Sequence, residues 1–595
     1  MVEGRSKIFE RAVNIAAGLA LFTLTAGVVW WQNTRLTVLY DLCGVLEHAT
    51  RIAQGDLPYR DFPFPYAPLT FLTQAAVINL TGAVYWHHIV YCCVVAGVGT
   101  VLLWRIVASL FRDHLARPEL TAFFLAVPAA VLGIYCVFPY PFYDPDAAFI
   151  ILLCIRWALA LERKGFPRVQ TFLLGELCVV TLFVKQNIGL AFLGIIGICL
   201  LISLAISLWK KSSLRPHLYF IGGLLTAFLA ALFVIHLTVG LDNYKLWTIT
   251  YATARRTPSF TDMLSVYNDR MLFVFPALFM LGALLLKKYS EGKVFNAILG
   301  TIAMAVAFLW PVIYLIVTPD PSERAERLDN LWPFVFIVTI AVVLFARRLS
   351  GVAVMLVFVI IATAHGVFLS QQLWGSTYGI WPLLIILVAL PLRSLFEGAA
   401  PPIARAGTVL AALISVAIAV AGGFYIYSNE RLSYVSFEDG DMMHSTLPQL
   451  QGLSMRGDFI PDFEELVKYT DENIPREDGI LLLPGEDLFY YTTGRHPKFP
   501  VLLFDVTNNP YNAEEIREKV LAGGIEWVIL KNDLQIEADT TIDSKDKIFE
   551  LLKPDFRPVE SLNNYEIYKR RHAGDPPDEE NDGDDSDSSD DDSGN

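Results

Sequence analysis

Four groups of polar residues stand out against a very apolar chain. "LYDLCGVLEHA" places Asp41 directly after the first apolar run, with Glu47 six residues on. "FPYPFYDPDAAF" sets Asp144 and Asp146 at the start of another run, and "FVKQNIGL" confines Lys185 and Gln186 to a tight hairpin. "SERAERLDNLWPF" carries Arg324 and Arg327, three apart and so on one face if helical. Carboxylates of this kind can act as general bases toward a hydroxyl nucleophile, or bind a cation or an amine. The lysine and the arginines suit a phosphate at headgroup level, arginine in a bidentate manner. Each group also has a plainer reading. Asp41 would serve as a helix cap, Lys185 would snorkel, and the arginines would pair with Glu323, Glu326 or Asp329.

A fifth stretch, "GDLPYRDFPFPYAPLT" (Gly55–Thr70), is polar, aromatic and proline-rich. Its prolines restrict the backbone, and Tyr59, Phe62, Phe64 and Tyr66 suit a membrane interface. It lies in a loop of roughly 50 residues, and loops that long are usually functional or partly structured. The plainer alternative is an anchor for an interfacial helix.

The elements that must position these residues are mostly apolar. The 595 residues are 54% hydrophobic and 18% charged, too apolar for a soluble protein of this size. Thirteen apolar runs are found between residues 12 and 427. The first, 12–31, follows basic residues and has the length of a spanning helix rather than of a cleaved signal. The connectors alternate. "ERKGFPR", "WKKSSLRPH" and "ARRLSG" belong to a basic set, which places them and the N-terminus in the cytoplasm. The five stretches above lie on the other, outer side. The first outer loop, 32–82, is long enough to hold two interfacial helices, Leu42–Gly55 and Leu69–Leu80. Arg156 and Glu176, each roughly 14–15 Å deep on adjacent spans, are expected to neutralise one another.

Beyond residue 429 the pattern changes. Helix-like "DFEELVKYTDENI" and "NAEEIREKVLAGG" alternate with strand-like "GILLLP", "EWVILKN" and "YEIYKR". The sequence divides into a transmembrane part (1–429), a small α/β extracytoplasmic domain (430–572) and an acidic tail (573–595). The tail supplies 11 of the 14 net negative charges and reads as disordered. The seven cysteines, all within the first 199 residues, suggest neither a zinc site nor a disulfide framework.

With these residues assembled, the chain resembles the GT-C superfamily of integral-membrane glycosyltransferases, in the branch of bacterial protein O-mannosyltransferases and lipid A aminoarabinose transferases. The resemblance rests on the thirteen-run layout, the acid after the first run and "RIAQGDLPYRDFPFPYAPL". "VKQNIGL" and the α/β end with "LFYYTTGR" agree with it. It implies a polytopic α-helical GT-C fold of about 13 transmembrane helices in a bacterial inner or plasma membrane. It also implies transfer of a sugar from a polyprenyl-phosphate donor to an acceptor hydroxyl on a protein, lipid or glycan. By position Asp41 is then the general base, although many relatives follow this acid with Glu where Leu42 stands here. Glu47, Asp144 or Asp146 would supply a second carboxylate. Tyr59, Arg60, Asp61, Tyr66, Lys185, Gln186, Arg324 and Arg327 would bind substrate. The scheme requires no cofactor, although such acids would accept a divalent metal, and no nucleic acid partner is expected. The rival readings are a transporter or flippase, or a polymerase or ligase, of lipid-linked saccharides.

Overall fold

The computed structural model describes residues 2–572, apart from 116, 256–259, 290–293, 319–327, 347–348, 350, 370–376, 400, 429–431, 433–434, 436–438, 506 and 537–544. The acidic tail therefore lies outside the described residues. Helices dominate. Six described helices are long and apolar enough to cross a membrane, and shorter apolar helices fall on the remaining runs. The chain is an integral membrane protein on this ground.

The first helix, α1 (Val2–Asn33), ends where its apolar run ends. Arg35 follows and lies between the rings of Trp31 and Tyr427, 4.6 and 4.5 Å from their centroids. Gln32 Nε2 donates to the carbonyl of Ile426 at 2.7 Å. These contacts join the end of α1 to the end of the last apolar helix, Pro401–Tyr427, so both finish at one level. The segment after α1 then holds two helices, α2 (Leu39–Ala53) and α3 (Leu69–Thr81), close to the spans expected. The Gly55–Thr70 stretch connects them.

Next comes α4 (Tyr85–Phe111). The run at 120–138 departs from expectation. It folds as α5 (Pro118–Ala126) and one turn, α6 (Ala129–Leu132), and then runs irregularly to Phe142. Pro128 separates the two helices, because its ring lacks the N–H that a continuous helix would need. Hydrophobicity alone gave no warning of this break.

Helix α7 (Tyr143–Arg163) carries Asp144 and Asp146 in its first turn. Helices α8 (Arg168–Val184) and α9 (Gln186–Trp209) are joined by Lys185 alone, in extended backbone. Helix α10 (Arg215–Thr238) packs closely on α8. A Cβ on Gly223 would fall 1.9 Å from the Phe172 carbonyl oxygen, so only glycine allows this approach. The expected Arg156–Glu176 pair does not form. Arg156 stands among like charges, Arg105, Arg163 and Arg112, whereas the Glu176 amide lies on the α8–α10 seam.

The C-terminal residues build a hairpin, β1 (Met442–His444) with β2 (Ser454–Arg456), and a four-stranded sheet. The sheet contains β3 (Gly479–Leu483), β4 (Ile525–Lys531), β5 (Phe556–Ser561) and β6 (Tyr565–Arg570) in the order β3-β4-β6-β5. Only β3 and β4 are parallel, as their helical crossover Ala513–Ala522 requires. That helix starts with a capping box between Asn512 and Glu515. Leu481, Leu483, Val528 and Leu530 bury one face of the sheet against Ile516 and Val520.

Candidate active site

The N-terminal turn of α7 sends its two acids in different directions, as a two-residue offset on a helix must. Asp144 is fully buried and turns toward the α8–α9 junction. Lys185 Nζ lies 2.5 and 2.6 Å from its two oxygens, and 4.6 Å from the Tyr143 ring centroid. Extended backbone at Lys185 lets a residue between two helices reach back to this carboxylate. A Cβ on Gly379 would come within 2.8 Å of the Pro145 nitrogen, so the chain packs tightly behind Asp144.

Asp146 turns toward α3 and α4 instead. It accepts hydrogen bonds from Thr70 Oγ1 (2.7 Å), Tyr91 Oη (2.7 Å) and Tyr135 Oη (2.6 Å). Tyr135 stands at φ +63°, a left-handed conformation that costs a non-glycine residue about 1–2 kcal/mol. The strained turn aims its hydroxyl at Asp146. Three hydroxyl donors make a buried carboxylate tolerable without a cation.

The Gly55–Thr70 stretch docks on the same place. Gln186 Nε2 donates to the Pro65 carbonyl at 3.0 Å, and the Tyr66 ring lies 5.6 Å from that of Tyr143. Tyr59, also left-handed at φ +71°, donates to the Tyr66 carbonyl at 2.7 Å and closes the loop on itself. Phe62, Phe64 and Phe71 fill its inside. Arg60 and Asp61 do not reach the carboxylates. They pair with each other at 2.8 Å, 50% and 30% exposed, and Asp61 accepts the Leu57 amide to close a turn. The buried arginine of this region is Arg51. It bonds Asp56 at 2.6 Å and the carbonyls of Phe499 and Pro500, beneath the Phe62 ring.

Asp41 occupies the first turn of α2 and is half-buried. The chain entering that turn is tied to the α7 region by Tyr140. Its hydroxyl donates to the Leu36 carbonyl (2.8 Å) and accepts the Val38 amide (3.0 Å). Tyr140 precedes Asp144 by four residues and Val38 precedes Asp41 by three, so the starts of α2 and α7 are neighbours. Glu47 is not brought to Asp41. Six residues are one and two-thirds helical turns, and Glu47 faces the short helix Phe489–Thr493, where it accepts the Tyr491 amide at 3.1 Å. Burial pushes its carboxyl up to about 8, helped by Asp487 and opposed by the Tyr491 and Tyr490 amides. The adjacent His48 is pushed down to about 4, again chiefly by burial.

Arg324 and Arg327 lie outside the described residues. Asp329, suggested as their partner, is buried and accepts Thr377 Oγ1 at 2.7 Å. Among the described residues no three His, Cys, Asp or Glu side chains gather as a metal-binding group. Sequence reasoning missed Tyr91, Tyr135 and Tyr140, which hold the acids and the chain beside them. For Tyr135 and Tyr140 the aromatic clustering around "FPYPFYDPD" was a local signal; Tyr91, in α4, had none.

No family model and no curated protein sequence matches the chain. Among solved structures it is similar to ArnT from Cupriavidus metallidurans bound to undecaprenyl phosphate, with 14% identity and a TM-score of 0.45 over 94% of this chain and 99% of that one. The same protein in the apo state gives 14% and 0.46 over 92% and 97%. The Archaeoglobus fulgidus oligosaccharyltransferase in complex with Zn and sulfate gives 9% and 0.41 over 87% and 68%.

Proposed function

We propose that the chain is a GT-C-type membrane glycosyltransferase that moves a sugar from a polyprenyl-phosphate donor to an acceptor hydroxyl on the extracytoplasmic face. One observation carries the reading. The Asp41 turn, the Gly55–Thr70 stretch and the Asp144–Lys185 pair meet at one end of the helical bundle, joined by Tyr140 and Gln186. A transporter would gather its polar groups near the midplane on broken helices.

In this reading Asp41 takes the acceptor proton as the acceptor oxygen bonds to the anomeric carbon. The bond from that carbon to the phosphate oxygen breaks, and the lipid phosphate leaves with the electron pair. A single displacement inverts the anomeric centre. Asp144 keeps Lys185 in place beside Tyr66 and Tyr143, at the level the departing phosphate would occupy. Glu47 and Asp146 are structural here, the first seated on the C-terminal segment and the second held by hydroxyls. The N-terminus is cytoplasmic and the sheet extracytoplasmic.

The test is sugar transfer in membranes from a panel of radiolabelled polyprenyl-phosphate sugars, comparing wild type with Asp41→Asn at equal expression. Transfer by wild type that the substitution abolishes supports class and base together. Transfer that survives removes Asp41 from the role of base. No transfer from any donor overturns the class and points to lipid-flipping and diphosphate-donor assays.

A further inference from the structure

Helix α2 begins without a local cap. The first N–H groups of a helix have no partner within it, and Ser, Thr, Asp or Asn usually stands before them to accept one. Here Val38 stands there, and it offers no side-chain acceptor. The missing acceptor comes from 496 residues away. Gln535 Oε1 accepts the Leu39 amide at 2.6 Å, and Gln535 Nε2 donates to the Thr37 carbonyl at 2.9 Å. Gln535 is 1% exposed and fully engaged. Its own amide donates to Glu486 Oε1 at 2.8 Å. Lys531, at the end of β4, bonds Glu486 at 2.9 Å and Asp487 at 2.8 Å.

We infer that Gln535 is a positioning residue for Asp41: from the loop after β4 it caps the first turn of α2 and so sets where the Asp41 carboxylate points. The inference rests on Asp41 being the reaction's base. Asp41 is two residues beyond the capped amide, within the same turn. Tyr140 holds the opposite side of this entry segment, so Gln535 and Tyr140 clamp it between the sheet and the membrane helices. The C-terminal segment is then half of the active site's frame. Its grip continues along α2 through Glu47, Arg51 and Gln54, which bond Tyr491, Phe499 and Arg495.

The test uses the full chain in lipid nanodiscs. Gln535→Met keeps the side chain's length and removes both bonds. Gln535→Glu keeps the acceptor for Leu39 and loses the donor to Thr37. Two readouts are taken: donor kinetics across pH, and hydrogen exchange of the peptide spanning 36–42. The expectation for Gln535→Met is a kcat reduced roughly 10–100-fold, the order that a misplacement of about 1 Å costs, with donor KM within about twofold. The acid limb of its pH profile moves to higher pH, because a frayed turn withdraws the helix N-terminus from the carboxylate. Protection of the peptide falls. Gln535→Glu recovers part of both. An unmoved acid limb at reduced kcat, or unchanged protection, overturns the inference. If wild type transfers from no donor, the glycosyltransferase reading fails by itself. Exchange then decides the cap alone: lost protection confined to 36–42 supports it, and unchanged protection overturns it.

Discussion

Lys185 Nζ lies 2.5 and 2.6 Å from the two carboxylate oxygens of Asp144, in a site where the two side chains are 9% and 0% exposed. Removing one partner of such a pair leaves an uncompensated buried charge and costs about 3–5 kcal/mol, whereas replacing both with apolar residues is often near neutral. Lys185→Met is therefore expected to lower the thermal unfolding midpoint in detergent. Lys185→Met with Asp144→Leu should recover most of that loss. If the pair serves only the fold, the double variant also recovers transfer; if it serves the phosphate, transfer stays lost.

Gly379 backs the Asp144–Pro145 peptide. An added Cβ would lie 2.8 Å from the Pro145 nitrogen and 3.0 Å from the Asp144 carbonyl carbon, both backbone atoms. Overpacking of this kind costs about 1–3 kcal/mol. Gly379→Ala should reduce transfer more than it reduces folded yield, measured by turnover per monodisperse protein on gel filtration.

Glu47 makes stability depend on pH in a definite direction. Its carboxyl is raised from 4.5 to about 8 by burial. A group raised on folding contributes its full stability below the unfolded value and loses it as pH rises through the folded one. The loss therefore grows from about pH 4.5 and levels off above pH 8, at about 1.4 kcal/mol per unit of pH between those limits. Glu47→Gln removes the ionisation and keeps an acceptor for the Tyr491 amide. Its unfolding midpoint should nearly match wild type at pH 5 and exceed it at pH 9.

Lys531 holds two buried acids, Glu486 and Asp487, and the pair raises it to about 12 against the burial that lowers it. Raised above its unfolded value, it contributes fully below about pH 10.5 and loses that contribution as pH rises through 12. Lys531→Met should destabilise the chain by about 3–5 kcal/mol at neutral pH. Limited proteolysis should then cut first within residues 479–572.

Much of this arrangement was legible in residue order. The alternation after residue 429 foretold β3, β4 and β6: the first two are buried runs, and β6 alternates, with Tyr565 and Ile567 buried. Strand β5 was missed: Pro558 and four outward-facing positions hide an edge strand from any hydrophobic pattern. The acids, Lys185 and the aromatic stretch announced themselves as costly residues among apolar ones. Their partners did not. Arg51 looks like an ordinary charge on an amphipathic helix, and only folding brings it under Phe62 and against Phe499. Arg60 and Asp61 looked better placed, yet they satisfy each other at the surface. Gln535 carries no local signal at all, since the partners of its side chain precede it by 496 and 498 residues.

That separation has a consequence for the order of manufacture. Thr37 and Leu39 leave the ribosome long before Gln535, which follows Leu39 by 496 positions. No nascent chain ending before Gln535 contains the group that caps α2. The membrane helices precede it in synthesis, so the bilayer-embedded part is finished while this turn still lacks its partner. A product truncated before Gln535 carries Asp41 on an uncapped turn. The candidate base's setting is thus complete only once Gln535 has been made and folded back onto Thr37 and Leu39.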